Sequence, residues 1–346
     1  MKRRVSVLVT GAAPDAVNNN AFLRSMVAEG FASILGEDDV VNVPFAAAGA
    51  AIKDFAPAFV LCFGSCMPDS SFLEYVANVT RSRGGTFGVW LHDDPYEFDF
   101  RYRATSCADL IFSNDAWAVE HYEHDRVFHL PLAASPTRHY RPIHGHRLID
   151  LYFCGVAFPN RVDFFRNLPA AAPPVQYLVE GTDWPADIPY ARSGRVDNEH
   201  VTDNYSRSLA VLNIGRHFDL ANSHYALTPS TPGPRTFEAA MAGAAQLFVV
   251  ESLEITRYFA PRSEIILVDS VRDVPDIVRE LRRNEGVAID IARAAQARAL
   301  RDHCYANRAR RIVEVLRERF GIALGDYRLD GGEAGGAPSG VAEEVS

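Results

Sequence analysis

No apolar run in this chain approaches the roughly 20 residues that a membrane-spanning helix needs, so no membrane span is expected. The N-terminus, MKRRVSVLVTGAAPDA, has the basic start of a secretory leader. Its apolar run, VSVLV, is shorter than the roughly 7–15 residues of such leaders. We read it as a buried first strand and expect a cytoplasmic protein. Basic residues are outnumbered: 35 Lys and Arg stand against 44 Asp and Glu, a formal net charge of −9. A general nucleic-acid binder needs a cationic surplus to neutralise phosphates, so no nucleic-acid partner is expected. Cysteine is scarce. Cys62, Cys66, Cys107, Cys154 and Cys304 are odd in number and scattered, mostly inside apolar runs. That pattern fits buried free thiols in a reducing compartment. Cys62 and Cys66 have no Cys or His partner nearby at ligand spacing, which argues against a zinc site. No internal repeat is visible.

What the chain does have is 48% hydrophobic residues, arranged as short runs between helical patterns. The first set is VSVLVTG (5–11), VVNVPF (40–45), FVLCFG (59–64), FGVWLHD (87–93), DLIFSND (109–115) and VFHLPL (127–132). These runs are continuous rather than alternating, as in a parallel sheet with both faces covered by helices. Helix candidates between them are NNNAFLRSMVAEGFASILG, SSFLEYVANVTRSRGG and DAWAVEHYEH. The segment ASPTRHYRPIHGHR (134–147) is rich in Pro, His and Arg, and marks a domain boundary. The alternation then restarts with DLYFCG (150–155), VQYLVEG (175–181), LAVLNIG (209–215), AQLFVV (245–250) and EIILVD (264–269). Helices are expected at 197–208, 234–243, 252–259 and 271–284, with a long helical stretch over 287–320.

A length of 346 residues exceeds one ordinary core. The pattern predicts an α/β protein of two doubly wound Rossmann-like domains facing a central cleft. We place them at residues 1–148 and 149–325, followed by a disordered tail rich in Gly, Ala and Glu at 326–346. Ligands of such sheets bind beyond the carboxyl ends of the strands, and this rule selects the candidate residues.

In TPSTPGPRTFEAAMAG (228–243) a loop of Ser, Thr, Pro and Gly leads into a helix near Pro234 that stops at Gly243. Such a loop delivers free backbone amides and hydroxyls at a helix N-terminus, an anion site to which Arg235 adds charge. A diphosphate fits there. Glu238 does not favour a phosphate, but it can accept two hydroxyl bonds from a ribose. On local pattern alone, a capped helix with nothing bound is an equal reading.

Several segments together carry a family resemblance. They are Arg235, Phe237, Glu238 and Gly243, then Phe259, Pro261, Glu264 and Ile265. Upstream stand Gly155 and Arg161, Gly181 and Trp184, the segment YSRSLAVLNIGRH, and the aspartate pair after a Trp in VWLHDDP. Arg308 or Arg311 closes the series in HCYANRARRIVEVL. In this order they resemble the GT-B glycosyltransferases, and among them the CgeB-like group, over about residues 3 to 320. The resemblance implies a GT-B fold and transfer of a sugar from a nucleotide-diphosphate-sugar donor, UDP-sugars favoured, to an acceptor hydroxyl. The acceptor would be a small molecule or a glycan, held by the N-terminal domain. The donor is a co-substrate, and no cofactor or metal is expected. Glu238 would take the ribose, and Arg235, Thr236 and the amides around Gly233 the diphosphate. Arg161, beyond the strand end at Gly155, would be a second cation for the leaving phosphate, or else a solvated helix-start residue. His217 faces the donor or sits on a surface loop. Retaining members of the wider fold carry another acid eight positions before the ribose-binding Glu. Here that position is Ser230, so a retaining outcome does not follow.

The stretch VWLHDDPYEFDF (89–100) lies at the end of a strand that Pro95 terminates. Transfer to a hydroxyl needs a base, and a carboxylate or His of tuned pKa serves. Adjacent acids repel, so one of them is expected at a raised pKa. Asp93 or Asp94 is the expected base, with His92 as orienter or rival. Glu97 is a candidate acceptor contact. Asn114 touches the acceptor or caps the following helix. Trp90 belongs to a stacking wall for the acceptor, or to the core. Read alone, the HDD triplet also suits a divalent metal. That leaves two other readings: a metal-dependent hydrolase using His92, Asp93 and Asp94, and a non-catalytic nucleotide- or sugar-binding protein. The first lacks further His-rich ligand motifs, and the second lacks a signal peptide.

Overall fold

The continuous apolar runs become strands, buried throughout at Phe59–Gly64 but only half-buried at Val40–Val43 and Val127–His129 on the sheet edges. In the computed structural model, which describes residues 5–15, 20–66, 69–145, 147–169 and 174–324, two such sets of strands form two separate sheets. The tail expected at 326–346 lies outside the described residues. The first half runs β1 (Val7–Gly11), α1 (Asn20–Leu35), β2 (Val40–Val43), α2 (Ala48–Phe55), β3 (Phe59–Gly64), α3 (Ser70–Ser82) and β4 (Thr86–Leu91). It continues with α4 (Tyr102–Thr105), β5 (Leu110–Ser113), α5 (Ala116–Val119), β6 (Val127–His129) and α6 (Pro136–His139). The second half runs β7 (Ile149–Cys154), α7 (Pro159–Arg166), β8 (Tyr177–Gly181), β9 (Ala191–Ser193), α8 (Asn198–Arg207) and β10 (Ser208–Asn213). It ends with α9 (Pro234–Met241), β11 (Ala245–Val249), β12 (Ile266–Val268), α10 (Val274–Arg283), α11 (Glu285–Asp302) and α12 (Tyr305–Phe320).

The first sheet has the order β2-β1-β3-β4-β5-β6 and the second β12-β11-β10-β7-β8-β9, with parallel pairing throughout. In each sheet the strand order reverses once, between β1 and β3 and between β7 and β10. A crevice opens at such a switch point because the flanking connections leave on opposite faces. The ends of β7 and β10 therefore define where a ligand of the second sheet belongs.

Several elements depart from the sequence reading, among them the eight-residue α7, where no helix was expected, and the helix expected at 252–259, which is a 3-10 turn over Leu253–Arg257. The eight-residue α2 was not expected; Gly49 within it lets Tyr75 of α3 close against the backbone, and a Cβ there would meet the Tyr75 hydroxyl at 2.2 Å. The three-residue β9 is too short to show a period. The helical stretch 287–320 is broken at His303–Cys304, where Ala134 intervenes. Its amide donates to the His303 carbonyl at 3.0 Å, and its own carbonyl accepts from Tyr305 N at 3.2 Å. Beyond this break α12 crosses back to the first half. Tyr305, Ile312 and Leu316 share a core with Met26, Phe31, Phe63 and Trp90. The Arg308 guanidinium, buried, donates to the carbonyls of Pro131 and Leu132. Among the described residues no helix is long and apolar enough to cross a membrane.

Candidate active site

The N-terminal wall of the cleft is built at the end of β4. His92 N donates to the Gly64 carbonyl at 3.0 Å, extending the β3–β4 pairing by one residue. The next side chains then diverge. His92 Nδ1 lies 3.1 Å from Asp93 Oδ2, and this pair stands at the cleft. Asp94 instead turns into the domain. It is 3% exposed and accepts from Ser113 Oγ at 2.6 Å and from Tyr122 OH at 2.7 Å. Burial pushes its carboxyl up to about 7 against those two donors. One of the adjacent acids thus has the raised pKa expected, but it is the one withdrawn from the cleft. Asp94 is accordingly removed from the base role.

The three expected acceptor contacts are occupied elsewhere. Glu97 is buried, bonded to Ser65 Oγ and to Cys66 N at 2.8 Å. Asn114 grips the Asp94 backbone, accepting from its N at 2.9 Å and donating to its O at 3.1 Å. The cap of α5 is Asp115 rather than Asn114. Trp90 is fully buried, donates Nε1–H to the Leu130 carbonyl at 3.0 Å and meets Phe63 edge-on. No face of its indole is left for an acceptor, because β4 is a central strand covered on both sides.

The C-terminal wall is built at the ends of β7, β10 and β11 and at the start of α9. Beyond β7, Gly155 makes room for Arg161, whose Nη1 a Cβ would meet at 2.8 Å. Gly181, at φ +138, lets the Gly155 carbonyl pass so closely that a Cβ there would lie 2.0 Å from it. Trp184 Nε1 donates to the same carbonyl at 2.9 Å. Arg161 donates to the carbonyls of Val156, Ile214 and Gly215 at 3.0, 3.0 and 3.1 Å. It thereby ties the end of β7 to the loop after β10. Burial, then the charge of Arg216, lowers its guanidinium to about 10. His217 is exposed, with Nε2 3.6 Å from Glu251 Oε1. Glu251 follows β11 and sits directly over Gly215, where a Cβ would meet its Oε2 at 1.7 Å.

At α9, Gly233 is the N-cap and Pro234 the first helical residue. Thr236 is buried, its N bonded to the Gly233 carbonyl at 3.2 Å. Arg235 Nη1 donates to Glu238 Oε2 at 3.0 Å, while Glu238 Oε1 lies 3.9 Å from His139 Nε2. The rest of the loop before α9 is not the open set of donors that was expected. The amides of Ser230 and Thr231 both donate to Asp115 Oδ2, at 2.6 and 3.0 Å, and their hydroxyls donate to Glu254 at 2.8 Å each. Among the backbone donors expected there, those of Ser230 and Thr231 are thus already taken.

The two walls meet through Arg216, which the sequence reading passed over, and through the loop after β10. Arg216 bonds Asp93 across the cleft, and its Cζ lies 3.9 Å from the centre of the Tyr96 ring. Asp99 accepts from the amides of His224 and Tyr225 at 3.0 and 3.3 Å, holding the loop after β10 onto the N-terminal domain. Burial alone would raise the Asp93 carboxyl; His92 and Arg216 outweigh it and hold Asp93 well below the usual carboxylate range. Burial lowers His92, and Asp93 more than reverses this, so the ring sits above its ordinary value. The strand-end rule that singled out His217 applies equally to its neighbour Arg216, and to Glu251 after β11. What it lacked was the partner, since Asp93 is 123 residues away.

Two facing α/β domains with the strand ends of both at the cleft define the architecture of the GT-B glycosyltransferases. Residues 161–314 match the family described as glycosyl transferase-like. Three solved structures share the fold over nearly the whole chain. Anabaena HepE in complex with UDP and glucose is 10% identical with a TM-score of 0.62, the match covering 91% of this chain and 100% of that one. Sucrose-phosphate synthase from Thermosynechococcus elongatus is 11% identical at TM-score 0.58, covering 91% and 99%. AviGT4, a glycosyltransferase involved in avilamycin A biosynthesis, is 14% identical at 0.58, covering 90% and 98%. No curated protein matches the sequence significantly.

Proposed function

We propose that this protein transfers a sugar from a nucleoside diphosphate donor, a UDP-sugar first among them, to an acceptor hydroxyl. The observation that carries this reading is the set of three arginines at the cleft ends of β7, β10 and α9. Arg161, Arg216 and Arg235 lie where the strand-order reversal of the second sheet opens its crevice. Glu238, in the second turn of α9, takes the ribose hydroxyls. The arginines stabilise the diphosphate as it leaves, a role a divalent metal plays in other transferases. We read the enzyme as metal-independent on that basis. HepE, of the same fold, is described in complex with UDP and glucose.

His92, oriented by Asp93 through Nδ1, takes the proton of the acceptor hydroxyl. The acceptor oxygen forms the new bond to the anomeric carbon. The bond from that carbon to the diphosphate oxygen breaks, and its electron pair leaves with the diphosphate. The acceptor is a small molecule or a glycan, bound on the N-terminal side. All five thiols are unpaired, which fits a reducing, cytoplasmic setting. The segments that resemble the CgeB-like group are those that carry these site residues.

A thermal-shift panel of UDP, GDP, ADP, CDP and dTDP, with and without chelator, tests the reading. A ligand that binds only the native state raises the melting temperature. UDP is expected to do so in the presence of chelator. A shift that needs a divalent ion would favour the metal reading, and no shift with any of the five would overturn the donor site.

A further inference from the structure

Arg161 of α7 and Arg216 of the loop after β10 act on one another electrostatically. Asn160 pins the loop backbone on either side of Arg216: Nδ2 donates to the Gly215 carbonyl at 3.1 Å, and Oδ1 accepts from His217 N at 3.1 Å. The Gly215 carbonyl also accepts from Arg161 Nε. Arg161 and Arg216 thus flank one peptide, at the switch point of the second sheet. Like charges so close repel, and Arg161 is lowered in part by Arg216. Among the described residues no carboxylate lies within ion-pair distance of Arg161; its hydrogen bonds go to carbonyls. Glu251, over Gly215, acts on Arg161 only from beyond ion-pair distance. Among the described residues the acid paired with Arg216 is Asp93, which comes from the opposite domain and already serves His92 with its other oxygen. The Arg216 backbone is fixed, while its side chain, lying over the Tyr96 ring, is about one-third exposed.

We propose that Arg216 is a shuttle between two anions: it pairs with Asp93 in the empty cleft and moves to the donor diphosphate beside Arg161 when the donor binds. The inference rests on the glycosyltransferase reading above. Its consequence is a coupling of donor loading to the base. While Arg216 is on Asp93, its charge opposes protonation of His92. Once it turns to the diphosphate, Asp93 is left to His92 alone, and the ring becomes the stronger proton acceptor. An enzyme without donor keeps its base muted, and an enzyme with donor has it primed. The linkage is reciprocal: whatever holds Arg216 on Asp93 must weaken donor binding.

The shuttle predicts opposite signs for two substitutions in one ion pair. Asp93→Asn removes the competing anion, so UDP binds about fivefold or more tighter. Arg216→Ala makes UDP bind about tenfold or more weaker. In the Asp93→Asn/Arg216→Ala double variant the gain from Asp93→Asn disappears. Titration calorimetry with UDP, and with pyrophosphate as the same anion without a nucleoside, reads all three. Melting curves confirm that each variant is folded, and Asp93→Ser stands in if the asparagine variant is not. A merely structural interdomain pair predicts losses in both single variants. Unchanged or weaker UDP binding in folded Asp93→Asn overturns the shuttle while leaving the donor site intact. A wild type that takes neither pyrophosphate nor any of the five nucleoside diphosphates overturns the glycosyltransferase reading itself.

Discussion

Asp115 of the N-terminal domain accepts the backbone amide of Ser230 of the C-terminal domain at 2.6 Å. The same carboxylate caps α5 through Ala118 N and takes the Thr231 amide at 3.0 Å. It is 1% exposed, so none of these bonds can be replaced by bulk water. Replacing Asp115 with Ala leaves three amides short of an acceptor, that of Ala118 buried and those of Ser230 and Thr231 half-buried. Each such group costs about 1–3 kcal/mol. We expect a total loss of about 3 kcal/mol or more in urea denaturation of Asp115→Ala, with the first loosening at the 228–233 loop. A variant as stable as the wild type would mean the loop finds other partners.

The pH dependence of stability should carry the mark of Asp94. Its folded pKa is about 7, raised by burial above the ordinary 3.8 of such a carboxyl. Between those values the native state holds the proton and the unfolded state does not. Stability from this group is therefore present at low pH and is lost as pH rises through 7. His303, lowered by burial to about 4, works the other way, favouring the native state as pH rises through the unfolded-state value. The comparison must be made between variants: Asp94→Asn should flatten the decline between about pH 4 and pH 7 and leave the more acid limb alone. A parallel pair of curves would contradict the burial-raised pKa.

Ribose and phosphate recognition should separate at α9. Glu238→Gln keeps the shape but weakens the acceptors for ribose hydroxyls. UDP affinity should fall about tenfold, which is about 1.4 kcal/mol, while pyrophosphate stays within about twofold of the wild type. Equal losses for both ligands would place the carboxylate in support of Arg235 rather than on the sugar.

His92 and Trp90, two residues apart on one strand, should fail differently. His92→Gln is expected to lower kcat by a factor of about 100 or more, with UDP affinity nearly unchanged. Trp90→Phe removes the bond to the Leu130 carbonyl and part of the packing against Phe63 and Tyr305. It should cost about 1–3 kcal/mol of stability with little change in kcat per folded molecule. A stability loss without a kcat loss in His92→Gln would assign the base elsewhere.

Much of the architecture was legible along the chain. Runs such as FVLCFG and AQLFVV are apolar on both faces, and only a strand inside a covered parallel sheet has that environment. Gly233–Pro234 before RTFEAA marked a helix start because Pro needs no amide partner there. The failures are of another kind. The run 287–320 read as one helix because nothing in its own sequence announces that Ala134 will take the His303 carbonyl and the Tyr305 amide. The donors of Ser230 and Thr231 looked free because their acceptor, Asp115, lies 115 residues away.

The sequence by itself determined the alternation, the two sheets and the strand ends at which ligands bind, since burial periodicity and turn chemistry are local. Only the tertiary structure decided which of the adjacent acids is on duty. Asp93 and Asp94 are neighbours with identical side chains, yet one meets His92 and Arg216 at the cleft and the other Ser113 and Tyr122 in the interior. Charge and pKa follow from those partners, and the partners come from strands and domains far apart in the chain.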